Sequence, residues 1–184
     1  MGKHSADIII IGGGAAGLMA AAGAARTLSS RKDDARIIVL EKMPRPGRKI
    51  MITGKGRCNF TNLKNWNEFS EHVHPKPGFL KPSFYNLTSE KMIDYLADVG
   101  MESVVERGDR AFPASHLASD VVDALVRAAQ KAGAEILCNK EVETICAGDS
   151  HVADAPQNDR KSSFDSLDDR LAVLGTVEGR AGNQ

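Results

Sequence analysis

Gly12, Gly14 and Gly17 stand in the G-x-G-x-x-G spacing, directly after a run of four isoleucines, Ile8 to Ile11. The chemistry such a spacing supports is the capture of a pyrophosphate where a strand turns into a helix. Gly12 permits the tight turn because glycine adopts a positive φ freely. Gly14 has no side chain to hold a pyrophosphate off the backbone, and Gly17 lets the helix pack close to the strand. The phosphates would sit at the helix N-terminus, where unpaired N–H groups and the helix dipole favour anions. A second group completes the pattern. Glu41 lies 24 residues after Gly17, close to the spacing of about 20 expected of an acid that hydrogen-bonds a ribose diol. Such an acid disfavours a 2′-phosphate, which points to FAD or NAD rather than NADP.

Two elements must hold these groups. Ile8–Ile11 reads as a short, fully buried strand, and Ala15 to Leu28 as the helix after it. Arg36 to Glu41 reads as a second buried strand ending in the carboxylate, with a polar connection over Thr27 to Ala35. Next comes a basic stretch. From Lys42 to Arg57 there are six basic residues and no acid, with glycines at 47, 54 and 56. Lys42 to Lys49 is rich in proline and glycine and reads as a loop without regular structure. A loop of backbone and cations wrapped around a pyrophosphate accounts for both the charge and the glycines.

Composition narrows the field. The chain has 184 residues, enough for one domain with a core, and its 42% hydrophobic and 26% charged content are globular values. Twenty-four basic residues balance 24 acidic ones, so nothing global points to nucleic acid or a membrane surface. Cys58, Cys138 and Cys146 are odd in number and lack C-x-x-C spacing, which argues against a disulfide framework or structural zinc. His72 and His74 lack further ligands, so no metal is expected. Ile8 to Ala25 carries no charge for 18 residues, but five of these are glycine and seven alanine. That argues against a spanning or signal segment, so no membrane partner is expected and cytoplasm is the expected location.

Further along, residues 63–88 read as an irregular excursion. Ser89 to Val99 reads as a helix, with Ser89 at the N-cap and Gly100 ending it. Ser119 to Lys131 is a stronger amphipathic helix ended by Gly133, and Ala134 to Cys138 a third strand. Right-handed crossovers would make the three strands parallel, in the order third–second–first. Glu141 to Ala147 reads as a short strand, 149–169 as a polar linker and Leu171 to Val177 as a last strand. The expected fold is therefore an α/β, Rossmann-like domain over residues 1–147, with 63–115 as an excursion within it. Residues 148–184 would be a linker and part of a short β-meander.

The combination of Gly12 to Gly17, Leu40-Glu-Lys42, Gly47-Arg-Lys49 and Gly54-Lys-Gly-Arg-Cys-Asn-Phe-Thr-Asn62 resembles the BaiN/RdsA-like family of FAD-dependent oxidoreductases. Asp109 to Ser115 and Ala118 to Val121 are similar to its next block. The resemblance runs over roughly residues 6–147, and its specific part is the Gly54–Asn62 block. It implies extended FAD with Gly12, Gly14, Ala15, Ala16 and Gly17 along the pyrophosphate and Glu41 on the adenosine ribose. Lys42, Arg48 and Lys49 would lie near the phosphates and ribose, and the turn with Gly54, Gly56, Arg57, Cys58 and Asn59 near the dinucleotide or flavin. Val142 would meet the adenine through its backbone. It further implies hydride transfer from a nicotinamide donor, NAD(P)H, through the flavin to a conjugated C=C bond of a steroid-like enone or an RNA uracil base. Family members are longer and add a substrate domain and a C-terminal flavin-binding segment. On that comparison the chain reads as a truncated, N-terminal piece whose activity alone is open.

Cys58 has two readings, a thiolate favoured by Lys55 and Arg57, or a small side chain packed in a glycine turn. His116 and Asp120 would be an acid/base pair only beneath a substrate pocket; otherwise Asp120 belongs in a first helical turn. No catalytic residue is assigned. Three functions remain: an FAD-dependent reductase or its cofactor-binding part, an NAD-dependent dehydrogenase, or a non-catalytic remnant that binds nucleotide or self-associates through an exposed sheet edge.

Overall fold

A computed structural model describes residues 6–30, 35–143 and 145. Three parallel strands, β1 (Ile8–Ile11), β2 (Ile37–Leu40) and β6 (Ala134–Leu137), form one sheet in the order β1-β2-β6. Ile8 pairs with Ile37, and Ile37 with Ala134, so the strands start level and end together at Ile11, Leu40 and Leu137. This is the expected parallel α/β sheet in the expected order. All four residues of β2 are buried, whereas Ile11 is 53% exposed. The expectation that β1 is fully buried is corrected: it is an edge strand among the described residues.

Two helices cover this sheet. α1 (Ala15–Ser30) buries Leu18, Ala21, Ala22 and Ala25, and α6 (Ala118–Lys131) buries Val121, Val122, Ala124, Leu125, Ala128 and Ala129. Alanines at the contact let the helix axes approach closely, while each buried leucine contributes roughly 1.5–3 kcal/mol. Asp120 occupies the first turn of α6 and Lys131 the last, matching the helix dipole. Gly133, at φ 104°, releases the chain into β6. α1 runs to Ser30, so the connection to β2 is shorter than the polar composition of Thr27 to Ala35 suggests.

The excursion is ordered, which corrects the reading of residues 63–88 as irregular. β3 (Thr61–Asn62), then α3 (Trp66–Ser70), a 3-10 turn over Pro77–Leu80 and α4 (Lys81–Asn86) precede α5 (Ser89–Ala97). α3 is opened by a capping box in which Asn65 Oδ1 accepts from the Glu68 N–H and Glu68 Oε2 accepts from the Asn65 N–H. β4 (Ser103–Glu106) and β5 (Arg110–Pro113) form a hairpin through Gly108 and Asp109, both at positive φ. β3 pairs with β5 on the far side, giving a second, antiparallel sheet ordered β3-β5-β4.

The N-cap of α5 also differs from expectation. Thr88 caps it, its hydroxyl accepting from the Lys91 N–H. Ser89 is buried instead, donating to the Asn62 carbonyl and accepting from the Thr61 hydroxyl, so that it ties β3 to α5. Gly100 ends the segment at φ 82°. Residues 141–143 form no strand, against the reading of Glu141 to Ala147 as one. The 149–169 linker, the Leu171 to Val177 strand and the meander they would complete lie outside the described residues, as does Cys146.

Candidate dinucleotide-binding site

The C-terminal ends of β1, β2 and β6 open into a cleft of about 1080 Å³. This is the edge of a parallel sheet at which nucleotide ligands bind as a rule. Its first wall is the turn after β1. Gly12 sits at φ 98°, and its N–H donates to the Leu40 carbonyl at 2.8 Å. A Cβ on Gly17 would stand 1.9 Å from the Gly12 carbonyl oxygen, so only glycine lets α1 start this close to the strand. A Cβ on Gly14 would meet no protein atom within 4 Å, and Gly14 borders the cleft with Ala15 and Ala16. The first-turn N–H groups of α1, which have no intrahelical acceptor, lie at this wall.

Glu41 follows β2 and is held by two backbone donors. Its Oε2 accepts from the Gly13 N–H at 2.7 Å and its Oε1 from the Met43 N–H at 2.8 Å. An ionised carboxylate has about four acceptor sites, so this arrangement leaves capacity for a hydroxyl ligand. The bond to Gly13 also joins the acid to the glycine turn. A Cβ on Gly13 would press on Pro46 at 3.0 Å and on Glu41 Oε2 at 3.1 Å.

The basic stretch wraps the cleft as a hook. Gly47, at φ 73°, donates its N–H to the Gly13 carbonyl at 2.8 Å, and a Cβ there would strike Val122 Cγ2 at 2.5 Å. α2 (Arg48–Met51) begins at the next residue, which corrects the expectation that Lys42 to Lys49 has no regular structure. Lys42, Arg48 and Lys49 all line the cleft, and Lys42 Nζ lies 4.0 Å from a Glu141 carboxylate oxygen.

After α2 the chain makes a tight turn with Gly54, Lys55, Gly56 and Cys58 at positive φ. Lys55 and Cys58 are not glycine, and each costs about 1–2 kcal/mol in this region. Thr53, Cys58 and Asn59 face the cleft, whereas Gly54, Gly56 and Arg57 are not among its lining residues. With its amide turned so that both ends find partners, the Asn59 nitrogen donates to the Thr61 and Ala111 carbonyls at 2.7 and 3.1 Å. Arg57 pairs with Glu106 of the hairpin. Cys58 is only 5% exposed, and burial pushes its thiol up, outweighing a hydrogen bond from Thr53 that lowers it. That favours the packed side chain over the thiolate.

The cleft thus brings together Gly12, Gly14, Ala15, Ala16, Gly17, Glu41, Lys42, Arg48, Lys49, Cys58, Asn59 and Val142. His116 is elsewhere, beside Arg57 and Glu106 on the second sheet, and Asp120 is in the first turn of α6. Several contributors are not named by the motif, among them Met43, Thr53 and Glu141 as well as Gly13 and Lys140. Gly13 gives no side-chain signal, because its role is a backbone bond to Glu41. Lys140, which lines the cleft three residues beyond β6, was legible only from the rule that residues after parallel strands face the ligand.

A turn, an acid and a basic hook at the carboxyl ends of parallel strands define a Rossmann-type dinucleotide-binding domain. A profile described as the HI0933-like protein Rossmann domain matches residues 6–168. The chain belongs to that family, the family of flavin-dependent oxidoreductases that its Gly54–Asn62 block resembles. Over 110 residues it is 30% identical to the ribosomal RNA dihydrouridine synthase of Escherichia coli, covering 60% of this chain and 27% of that protein. It is 31% identical over 112 residues to the 3-dehydro-bile acid delta(4,6)-reductase of Clostridium scindens, covering 61% of this chain and 27% of that protein. The matched region thus spans about a quarter of the length of these relatives. The crystal structure of Thermovibrio ammonificans THI4 superposes with a TM-score of 0.50 at 15% identity, covering 78% of this chain and 42% of that one, a likeness of fold. Among the described residues, no helix is long and apolar enough to cross a membrane.

Proposed function

We propose that this chain binds FAD in extended form and serves as the cofactor-holding part of a reductase of conjugated C=C bonds that draws on NAD(P)H. The observation that carries the reading is the convergence on one cleft of the Gly12–Gly17 turn, the Glu41 carboxylate and the cations of the Lys42–Lys49 hook. The residues fit the cofactor. The space beside Gly14 admits a pyrophosphate against backbone N–H groups, and Lys42, Arg48 and Lys49 offset its charge. Glu41 accepts from ribose hydroxyls while staying anchored to Gly13 and Met43, and it repels a 2′-phosphate. Val142, which lines the same cleft, would meet the adenine through its backbone. FAD, when bound, supplies a two-electron carrier between a nicotinamide and an acceptor double bond.

The relatives' names favour a C=C acceptor. A delta(4,6)-reductase and a dihydrouridine synthase both imply saturation of a double bond conjugated to a carbonyl. The acceptor would be a small enone or an RNA uracil base. Calorimetric titration of the full chain with FAD, NAD+ and NADP+ tests the reading. FAD should bind most tightly, and NADP+ at least about tenfold more weakly than NAD+ because of Glu41. NADP+ binding as tightly as FAD would overturn it.

A further inference from the structure

The turn from Thr53 to Asn59 has two faces. Thr53, Cys58 and Asn59 form part of the cleft wall. Arg57 points the other way, into the antiparallel sheet. Its Nη2 is bound to Glu106 Oε1 and lies 3.0 Å from His116 Nδ1, and its guanidinium lies 4.4 Å from the centre of the Phe112 ring. Glu106 ends β4 and Phe112 lies in β5, so the cation grips both strands of the hairpin. A guanidinium held by a carboxylate and by a ring face is fixed in both direction and plane.

This grip answers a need of the turn. Lys55 and Cys58 are held at φ 56° and 55°, and such conformations persist only where the surroundings over-determine them. The turn's own bonds, Arg57 N–H to the Gly54 carbonyl at 3.2 Å and Cys58 N–H to the Thr53 carbonyl at 3.3 Å, shape it without tying it to the rest of the molecule. Cys58 is packed in the core and the Thr53 hydroxyl donates to the Ile50 carbonyl, while Arg57 provides the polar tie to the hairpin and Asn59 adds to it at the far end.

We propose that Arg57 is a positioning residue: through Glu106 and Phe112 it clamps the Thr53–Asn59 wall, so that affinity for the dinucleotide depends on Glu106, a residue outside the cleft. The inference rests on the reading that the cleft holds FAD. The competing role for a cation here is a direct ion pair with the pyrophosphate, and the two differ in what Glu106 does. Removing the carboxylate releases a phosphate-binding arginine but breaks a clamp.

The test uses the full chain with Arg57→Ala and Glu106→Gln, singly and together, and Glu106→Asp as the conservative variant. Each single substitution should raise the FAD dissociation constant about tenfold, the size expected for a lost charge-assisted hydrogen bond. The double variant should bind no worse than Arg57→Ala alone, because the two residues act as one unit. Glu106→Asp should restore most of the affinity, and the salt dependence should match the parent chain. If Glu106→Gln binds as well as or better than the parent while Arg57→Ala weakens binding and flattens its salt dependence, the clamp is overturned. In the cofactor-free chain, amide exchange over residues 53–59 should quicken in Glu106→Gln while β1 and β2 stay unchanged. Unchanged exchange there also overturns the clamp, whereas a parent chain that binds no FAD counts only against the proposed function.

Discussion

Glu41 illustrates how one side chain joins architecture to the proposed binding role. Its carboxylate accepts from Gly13 and Met43, closing the glycine turn against the end of β2 before any ligand arrives. The three motif glycines, by contrast, do separate jobs that substitution can tell apart. An alanine at Gly17 would put its methyl carbon 1.9 Å from the Gly12 carbonyl oxygen, so the helix or the strand must move. Gly17→Ala should therefore lower the stability of the cofactor-free chain by about 1–3 kcal/mol. Alanine at Gly14 meets no protein atom within 4 Å and should leave that stability within about 0.5 kcal/mol while weakening FAD binding severalfold or more. Thermal melts of the two variants, each with a flavin titration, check the contrast. Equal melting losses would show that Gly14 is also needed for packing.

At the level of elements, the basic hook is held by its contact with α6. Gly47 lies against Val122, donates to the Gly13 carbonyl and immediately precedes α2. Gly47→Ala should cost about 2–4 kcal/mol, from a left-handed residue and a clash with Val122. Adding Val122→Ala should relieve the clash but not the backbone term, so the double variant should lose less than the sum of the singles. Urea denaturation of the three variants measures this, and strict additivity would contradict the contact. These elements were unevenly legible in the sequence. β2, α1 and α6 announce themselves by a buried apolar run or a helical apolar period. The antiparallel sheet does not, since β3 is two residues long and is stabilised by a Ser89 bond from another helix. The signals that did exist were local. Asn65-x-x-Glu68 is a capping box, and Gly108-Asp109 between Val104-Val105 and Ala111-Phe112 marks a hairpin.

Across the whole molecule, the parallel sheet, the hook and the Thr53–Asn59 turn each supply part of the cleft wall, and the hairpin backs that turn from outside through Arg57. The sheet order and the Gly12–Gly17 turn follow from a pattern whose physical demands are strict, so sequence alone locates them. The direction in which Arg57 points does not follow from its position in a basic stretch, because Glu106, 49 residues later, decides it. The central claim is that this cleft holds FAD. The most direct measurement is the visible absorption spectrum of the purified full chain, before and after incubation with FAD and removal of excess. The account predicts flavin bands at close to one equivalent per chain, abolished in Gly14→Asp, whose carboxylate would stand where the pyrophosphate is proposed to lie. A colourless parent chain, or flavin retained equally by Gly14→Asp, would contradict it.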